Sequence, residues 1–579
     1  MTHRAHRSRF SMRPASQHFL RYICGRYWFS IRNKSHYLLE AGSIALRSRG
    51  FQPDTKTETI PRQRANLSAR SMDATPENIT MMQGFEWHVP ADQKHWVRLE
   101  KQVPHLKKWG VDNIWLPPGC KASSSQSNGY DIYDFYDLGE FDQKGSIPTK
   151  WGTKTELLQL AHTAQQSGVG LYWDAVLNHK SGADRVEKCQ VVEVDPKNRN
   201  WHVSGQYEIE AWVGFDFPGR GEEYSEMKYR GEHFTGVNYN NVNKKEAIYK
   251  IVGGWSDGWA ETPDVDAENG NYDYLMGADL DHDHSEVEND ILAWGRWLAE
   301  EIPLKGVRFD AVKHYSAKFL SKFVDEMNKV RGGEWFFVGE FWKNSLPDMK
   351  TYLNRMDHKF SLFDVPLVYN FSKISHGNSE DLRRVFDGTL VQENPIHSAS
   401  AVTFVMNHDT QPNQSLATPI EGWFKPLAYA LVLLRSKGYP CVWYGDLYGV
   451  KGDHPFPLSC GGALPKLMLA RKLYSYGEQA DYFDFRTCVG WVRYGTPDRP
   501  FGCAVVMSNA GPGWKQMHVG KVHAGEVWAD VLNWQAKQVV IGTDGFGVFT
   551  CGQTSVSIWV NSAAEGREKF NRPFESNIY

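Results

Sequence analysis

The sequence predicts an α/β protein: a (β/α)8 barrel with a domain inserted after the third strand and an antiparallel β domain at the C-terminal end. Three observations predict it. Eight short apolar runs alternate with helical patterns between residues 78 and 449. One connection, about 183–283, is far too long for a loop and reads as an inserted domain. After about residue 479 the helical pattern gives way to short alternating runs separated by glycine-rich turns.

Taken in order, the first strand lies in NITMMQGFEW (78–87), the second in VDNIWLPP (111–118) and the third in GVGLYWDAVLN (168–178). Beyond the insertion follow LKGVRFDAV (304–312), WFFVGEFW (335–342), SLFDVPLVYNF (361–371), SAVTFVMNHDT (400–410) and GYPCVWYGDLYG (438–449). WVRLEKQVPHLKKWG, KTELLQLAHTAQQSG and NDILAWGRWLAEEI have helical spacing between them. Near-continuous apolar strands alternating with helices mean a parallel sheet buried on both faces, and eight such units suggest a closed barrel. CVGWVRY, GCAVVMSN and SVSIWVN then read as antiparallel strands, ending near Val560. The expected domains are therefore a basic, disordered N-terminal extension (1–72), the first part of the barrel (73–182), the inserted domain (183–283), the second part of the barrel (284–478), a β-sandwich (479–561) and a tail (562–579).

Composition narrows the partners. The 579 residues are 41% hydrophobic and 23% charged with a net charge of −3, which argues against nucleic acid. No run reaches the roughly 18 apolar residues of a membrane span, and LAYALVLL (427–434) is cut off by Arg435. Eight cysteines without CxxC spacing resemble neither a disulfide framework nor a zinc site. The extension begins MTHRAHRSRFSMRPASQHFLRYICGRYWFSIRNK, and its first acidic residue is Glu40. That composition fits a mitochondrial transit peptide. The preferred reading is an extension without a folded role, with Met72 a possible start. No secretory signal is visible, so a cytoplasmic monomer is expected.

The chemistry lies in GVRFDAVKHY (306–315), where Arg308 and Asp310 share one face of a core strand. An isolated pair of this kind is ordinarily a structural salt bridge, since burying ions is costly. Barrel enzymes, however, place their chemistry at the C-terminal ends of strands. Three further strands end in polar residues: Asp174, Asn178 and His179; Glu340; and Asn407, His408 and Asp409. Carboxylates from three strands of one barrel would converge on one mouth. Three carboxylates and an arginine suit glycosidic cleavage, in which one carboxylate attacks the anomeric carbon and a protonated carboxyl serves the leaving oxygen. An arginine beside the nucleophile favours its ionised form; the acid needs a raised pKa. Phe341 and Trp342 offer Glu340 such apolar surroundings.

The segments DAVLNH, GVRFDAVKH, FVGEFW and FVMNHDT resemble the four signature regions of glycoside hydrolase family 13, the α-amylase family, and LMGADLDHDH (275–284) resembles its fifth. MMQGFEWHVPADQKHW, GYDIYDFYDLGEF and ENGNYDYLMGADLDHDH point to its liquefying bacterial-type members and their intracellular fungal relatives. The resemblance covers about residues 78–560. It implies Asp310 as nucleophile, Glu340 as general acid/base and Asp409 as the third carboxylate. Arg308 would orient Asp310, with Asp174, His179 and His408 lining the subsite of the distorted sugar and Tyr130 as its stacking platform. Lys313 and His314 would receive the leaving-side sugar. The resemblance also implies a calcium ion held by Asn178, Asp273, Asp279 and the His314 carbonyl, a set of hard oxygen ligands. DLDHDH alone would read as a solvated acidic loop, and His284 at the sixth position from Asp279 excludes an EF-hand.

Two positions depart from the family pattern. Met406 stands where many relatives carry Asp, and Thr235 stands where liquefying enzymes often carry a metal-ligating Asp. WAETPDVD (259–266) offers no clean replacement, so a fuller metal cluster is not expected. The implied activity is an endo-acting, retaining α-amylase on starch- or glycogen-type glucans or maltooligosaccharides. The alternatives are an α-glucan transglycosylase or exo-acting maltooligosaccharide former, and a non-catalytic glucan-binding homologue; loss of a carboxylate would mark the last, and all three are present.

Overall fold

Every one of the eight apolar runs contains a strand of one closed parallel barrel. In the computed structural model the described residues are 75–253, 258–330, 335–377, 379–452 and 455–579. The expected extension 1–72 lies outside them. The barrel strands are β1 (Met81–Gln83), β2 (Asn113–Trp115), β3 (Gly170–Ala175), β4 (Gly306–Phe309), β5 (Phe336–Gly339), β6 (Ser361–Phe363), β7 (Ala401–Phe404) and β8 (Tyr439–Trp443). They pair in sequence order, and β1 closes the ring by pairing with β8 as well as β2. All are short and buried, as a sheet covered by helices requires.

Among the described residues, eight longer helices cover the ring: α1 (His95–Lys108), α2 (Lys154–Gln166), α3 (Ser285–Glu301), α4 (Ala317–Lys329), α5 (Leu346–Arg355), α6 (Val365–His376), α7 (Lys425–Leu433) and α8 (Leu464–Tyr474). Local chemistry sets several starts. Thr153 and Glu156 form a reciprocal capping box on α2, and the Ser316 hydroxyl accepts the Phe319 N–H on α4. α6 corrects the sequence reading, which ran a strand through residue 371. β6 stops at Phe363, and Pro366 in the first turn of α6 has the fixed φ that a helix start favours. Residues 444–448 likewise turn helical straight after β8.

Between β3 and α3 the chain builds a seven-stranded sheet. It contains Arg185–Asp195, Phe234–Asn240 and Lys245–Ile251, and it begins with His179–Lys180, separated from β3 by only three residues. Asp279, in the strand Ala278–Leu280, pairs with His179. After α8 a six-stranded antiparallel sheet packs with the two-stranded sheet Gly513–His518/Phe546–Cys551 over an apolar core that includes Val492, Met517, Trp528 and Trp559. Residues 562–579 return to the barrel: Phe570 stacks on Tyr474, Phe574 meets Trp109 edge-on, and the Tyr579 hydroxyl bonds to that of Tyr444 at 3.1 Å.

Candidate active site

Strand register brings the charges together. Arg308 on β4 is the direct partner of Asp174 on β3 and of Val338 on β5, two residues before Glu340. The guanidinium is fully buried. Its Nη1 donates to Asp174 Oδ1 at 2.6 Å and to Asp310 Oδ1 at 2.7 Å, and its Nη2 donates to Glu340 Oε2 at 2.6 Å. One cation thus gathers three carboxyls from three adjacent strands. Burial outweighs the arginine at Glu340, where the charges of Asp310 and Asp409 add to the effect, and the carboxyl is pushed up to about 8. Burial also raises Asp174, which takes further hydrogen bonds from Trp115 Nε1 at 3.0 Å and the Tyr130 hydroxyl at 2.8 Å. Ala311, next to Asp310, has φ +49°, a left-handed conformation costly for a residue with a Cβ, and its N–H points to Glu340 Oε2 at 3.3 Å.

Asp409, just past β7, has the opposite electrostatics. Burial pushes its carboxyl up, but His408, with Nε2 3.1 Å from Asp409 Oδ2, and the Arg308 guanidinium hold it below the usual range. Gln83 Nε2 contacts His408 Nδ1 at 2.8 Å. The amide can only donate there, which leaves the His408 proton on Nε2, facing Asp409. The Tyr130 ring lies parallel to His408 at 5.0 Å and to Trp87 at 6.1 Å. Trp87 is fixed in turn by its N–H to Gln411 Oε1 at 3.0 Å. A flat aromatic wall therefore borders the carboxyls.

The other side of the mouth comes from the loop after β3 and the end of β4. His179 Nε2 bonds to the Tyr130 carbonyl at 2.8 Å, and burial holds its imidazole below its ordinary pKa. Lys180 anchors this turn from beneath. Its ammonium is completely buried, 3.9 Å from the centre of the Phe135 ring and 4.7 Å from that of Tyr229, and Phe215 and Phe217 complete the cage. Nζ has no hydrogen-bond partner among the described residues, and burial pushes its pKa down to about 8. Lys313 pairs with Glu268 at 2.8 Å, and His314 Nδ1 bonds to the Tyr272 carbonyl at 3.0 Å.

Beside this wall lies a buried oxygen cluster. Asn178 Nδ2 donates to Asp279 Oδ1 at 3.0 Å, the Thr235 hydroxyl donates to Asp279 Oδ2 at 2.5 Å, and Asp273 is hydrogen-bonded to Asp279. Burial raises both carboxyls, Asp273 to about 8 and Asp279 well above its ordinary value, each further raised by a neighbouring Asp. The Asn178 Oδ1 is buried and has no partner among the described residues. An orphaned amide oxygen beside two carboxyls that burial keeps from ionising is a donor set fitted to a hard cation. The His314–Tyr272 bond brings the backbone of His314 to the loop carrying Asp273. Asp264 and Asp266, in the segment without a clean replacement ligand, are engaged elsewhere: Asp264 with Ser316 and Lys318, Asp266 with Lys343. A second convergence, His233, His284 and Glu286, fits a metal poorly. Nδ1 of each imidazole accepts a backbone N–H, so Nε2 carries the proton where a ligand needs a lone pair.

All the expected residues thus fall in one contiguous region: the three carboxyls around Arg308 and Asp409, the aromatic wall, and the oxygen cluster behind His179. Gln83, Trp87, Trp115 and Gln411 were not singled out in the sequence. Gln83 and Trp115 were legible as polar-tipped side chains in otherwise apolar barrel strands.

Comparison with known proteins points to one family. The α-amylase family model, described as the alpha amylase catalytic domain, matches residues 96–493. A glucan 1,4-alpha-maltohexaosidase of Bacillus sp. (strain 707) is 45% identical over 487 residues, 84% of this chain and 92% of that protein. The α-amylase of Bacillus licheniformis is 44% identical, covering 83% and 93%. The cytoplasmic α-amylase of Escherichia coli (strain K12) is 40% identical, covering 83% and 99%. Among solved structures, an Anoxybacillus α-amylase superposes with a TM-score of 0.56 at 17% identity, covering 85% of this chain and 98% of its own, a likeness of fold.

Proposed function

The chain belongs to the α-amylase family, and from that premise we propose that it is an endo-acting, retaining hydrolase of internal α-1,4-glucosidic bonds in starch- or glycogen-type glucans and maltooligosaccharides. One observation carries the reading. Asp310 and Glu340 share the Arg308 guanidinium, yet Glu340 is pushed up to about 8 and so holds a proton at neutral pH. In this reading Asp310 attacks the anomeric carbon while Glu340 protonates the departing glycosidic oxygen. Glu340 then takes a proton from the water that releases the sugar from Asp310. Asp409, held ionised by its surroundings, grips ring hydroxyls and offsets the positive charge of the oxocarbenium-like state. Tyr130, Asp174, His179 and His408 enclose that sugar, and Lys313 and His314 meet the leaving side.

Asn178, Asp273, Asp279 and the His314 carbonyl would hold calcium, which supplies the positive charge these buried oxygens lack. Two further observations support a cytoplasmic setting: the seven described cysteines are all free, and the Escherichia coli relative is named cytoplasmic. The maltohexaosidase relative favours a second reading, an exo-acting maltooligosaccharide former. Time-resolved product analysis on soluble starch and maltooligosaccharides, with the anomer assigned by NMR, separates them. Early mixed-length α-products support the proposal, one dominant early oligosaccharide supports the second reading, and β-products overturn retention.

A further inference from the structure

The C-terminal domain contains a cysteine pair that the glucan chemistry does not use. Cys488 lies on the strand Cys488–Arg493 of the six-stranded sheet, and Cys551 ends the strand Phe546–Cys551 of the two-stranded sheet that faces it. Both side chains lie in the same apolar core between the sheets, thiol beside thiol. Gly513, the register partner of Cys551, makes the approach possible. A Cβ there would lie 2.6 Å from Cys488 Sγ and 3.2 Å from Cys551 Sγ. The pair sits just beneath the surface. Cys488 Sγ is 3.8 Å from the carbonyl of Trp514, whose own side chain is exposed, and Lys515, salt-bridged to the exposed Asp484, stands beside it.

The two sulfurs are not equivalent. The hydrogen bond from Cys551 and the Lys515 ammonium hold the Cys488 thiol below its ordinary range, against the effect of burial. Cys551 is pushed up, first by that same hydrogen bond and then by burial. Burial pushes up the thiols of Cys120, Cys189, Cys441, Cys460 and Cys503 as well. Thiolate character and access together select the sulfur that oxidants attack.

We propose that Cys488 and Cys551 form a reversible dithiol–disulfide modification site that cross-links the two sheets of the C-terminal domain when a hydroperoxide is present. The Cys488 thiolate attacks one peroxide oxygen, the O–O bond breaks, and hydroxide leaves with a sulfenic acid on Cys488. Cys551 then attacks the Cys488 sulfur, the S–O bond breaks, and the hydroxyl departs as water with the proton from the Cys551 thiol. In balance, two thiols and one hydrogen peroxide give one disulfide and two waters. A dithiol reductant reverses the change by thiol–disulfide exchange.

The test treats the folded full chain with stoichiometric hydrogen peroxide and follows intact mass and non-reducing peptide maps. The expected result is a loss of two hydrogens and one cross-linked peptide pair containing Cys488 and Cys551, both reversed by dithiothreitol. Cys551→Ser should instead gain oxygen at Cys488, and Lys515→Met should cross-link several-fold more slowly at neutral pH. Retention of both thiols in the wild-type chain, or a cross-link joining other cysteines, overturns the proposal. An unchanged rate in Lys515→Met overturns the choice of Cys488 as the attacked sulfur.

Discussion

Asp174 is the register partner of Arg308 across two parallel strands, and its carboxylate takes the Arg308 Nη1 at 2.6 Å. That contact fixes the guanidinium from the side away from Glu340. The same nitrogen still reaches Asp310, and the other reaches Glu340. A single cation faces three carboxyls, so one of them can keep its proton. The predictions begin there.

Asp310→Asn and Glu340→Gln should each lower kcat by about a thousandfold or more with folding intact, because in the proposed mechanism each group acts on the bond being broken and contributes little to ground-state binding. Steady-state kinetics on a maltooligosaccharide, with circular dichroism as the fold control, decide it. More than a few per cent residual activity in either purified variant removes that residue from its role.

The pH profile follows from Glu340. A general acid pushed up to about 8 stays protonated below that pH, so kcat/KM should fall as pH rises through about 8. Asp409→Asn removes a negative charge that raises Glu340 and should move this alkaline limb to lower pH. A limb that stays in place would show that another group sets it.

Glu340 should also tie stability to pH. Glu340 is raised in the fold above its ordinary value of about 4.5, so its contribution is fully present below about pH 4.5 and is lost as pH rises through about 8. At about 1.4 kcal/mol per pKa unit, Glu340→Gln should stabilise the chain at neutral pH by on the order of 2–4 kcal/mol, since the amide cannot ionise. Denaturant titrations of both proteins at pH 5 and pH 7.5 should show the gain only at the higher pH. An equal shift at both would point to packing instead.

Calcium should bind once per chain with high affinity. Exhaustive dialysis followed by elemental analysis should leave one ion, and chelation should lower the melting temperature. At a thousandfold excess over Kd, binding to the folded state alone contributes roughly 4 kcal/mol. Asp279→Asn should lose the ion. Two or more retained ions would mean that Thr235 does not thin the ligand set, and none would remove the assignment.

Much of this was legible in the chain because a barrel strand is a local signal. Apolar runs such as NIW and FFVG can do little but lie in a doubly covered sheet, and the charged tips of GVRFD and FVGEF stand out against them. What the sequence did not reveal depends on distant partners. Asp364-Val365-Pro366 continues an apolar run and reads as strand until β6 is seen to end. Ala311 gives no hint of its positive φ. Lys180 in NHK reads as a solvated loop lysine, and only the fold brings Phe135, Phe215, Phe217 and Tyr229 around it. Gln83 and Trp87 lie at the end of an apolar run, but their contacts with His408 and Tyr130 follow from the closure of the barrel, which sets β1 between β8 and β2.

The sheet that begins at His179 limits how this molecule can be recombined. His179–Lys180 pairs with Ala278–Leu280, so the turn that carries His179 is also the first rung of the inserted sheet. A chimera cut after Lys180 would graft a foreign partner strand onto native His179–Lys180. Swaps between related chains should therefore be cut before Asn178 and after Asp283, with Phe135 and the rest of the Lys180 cage matched to the donor.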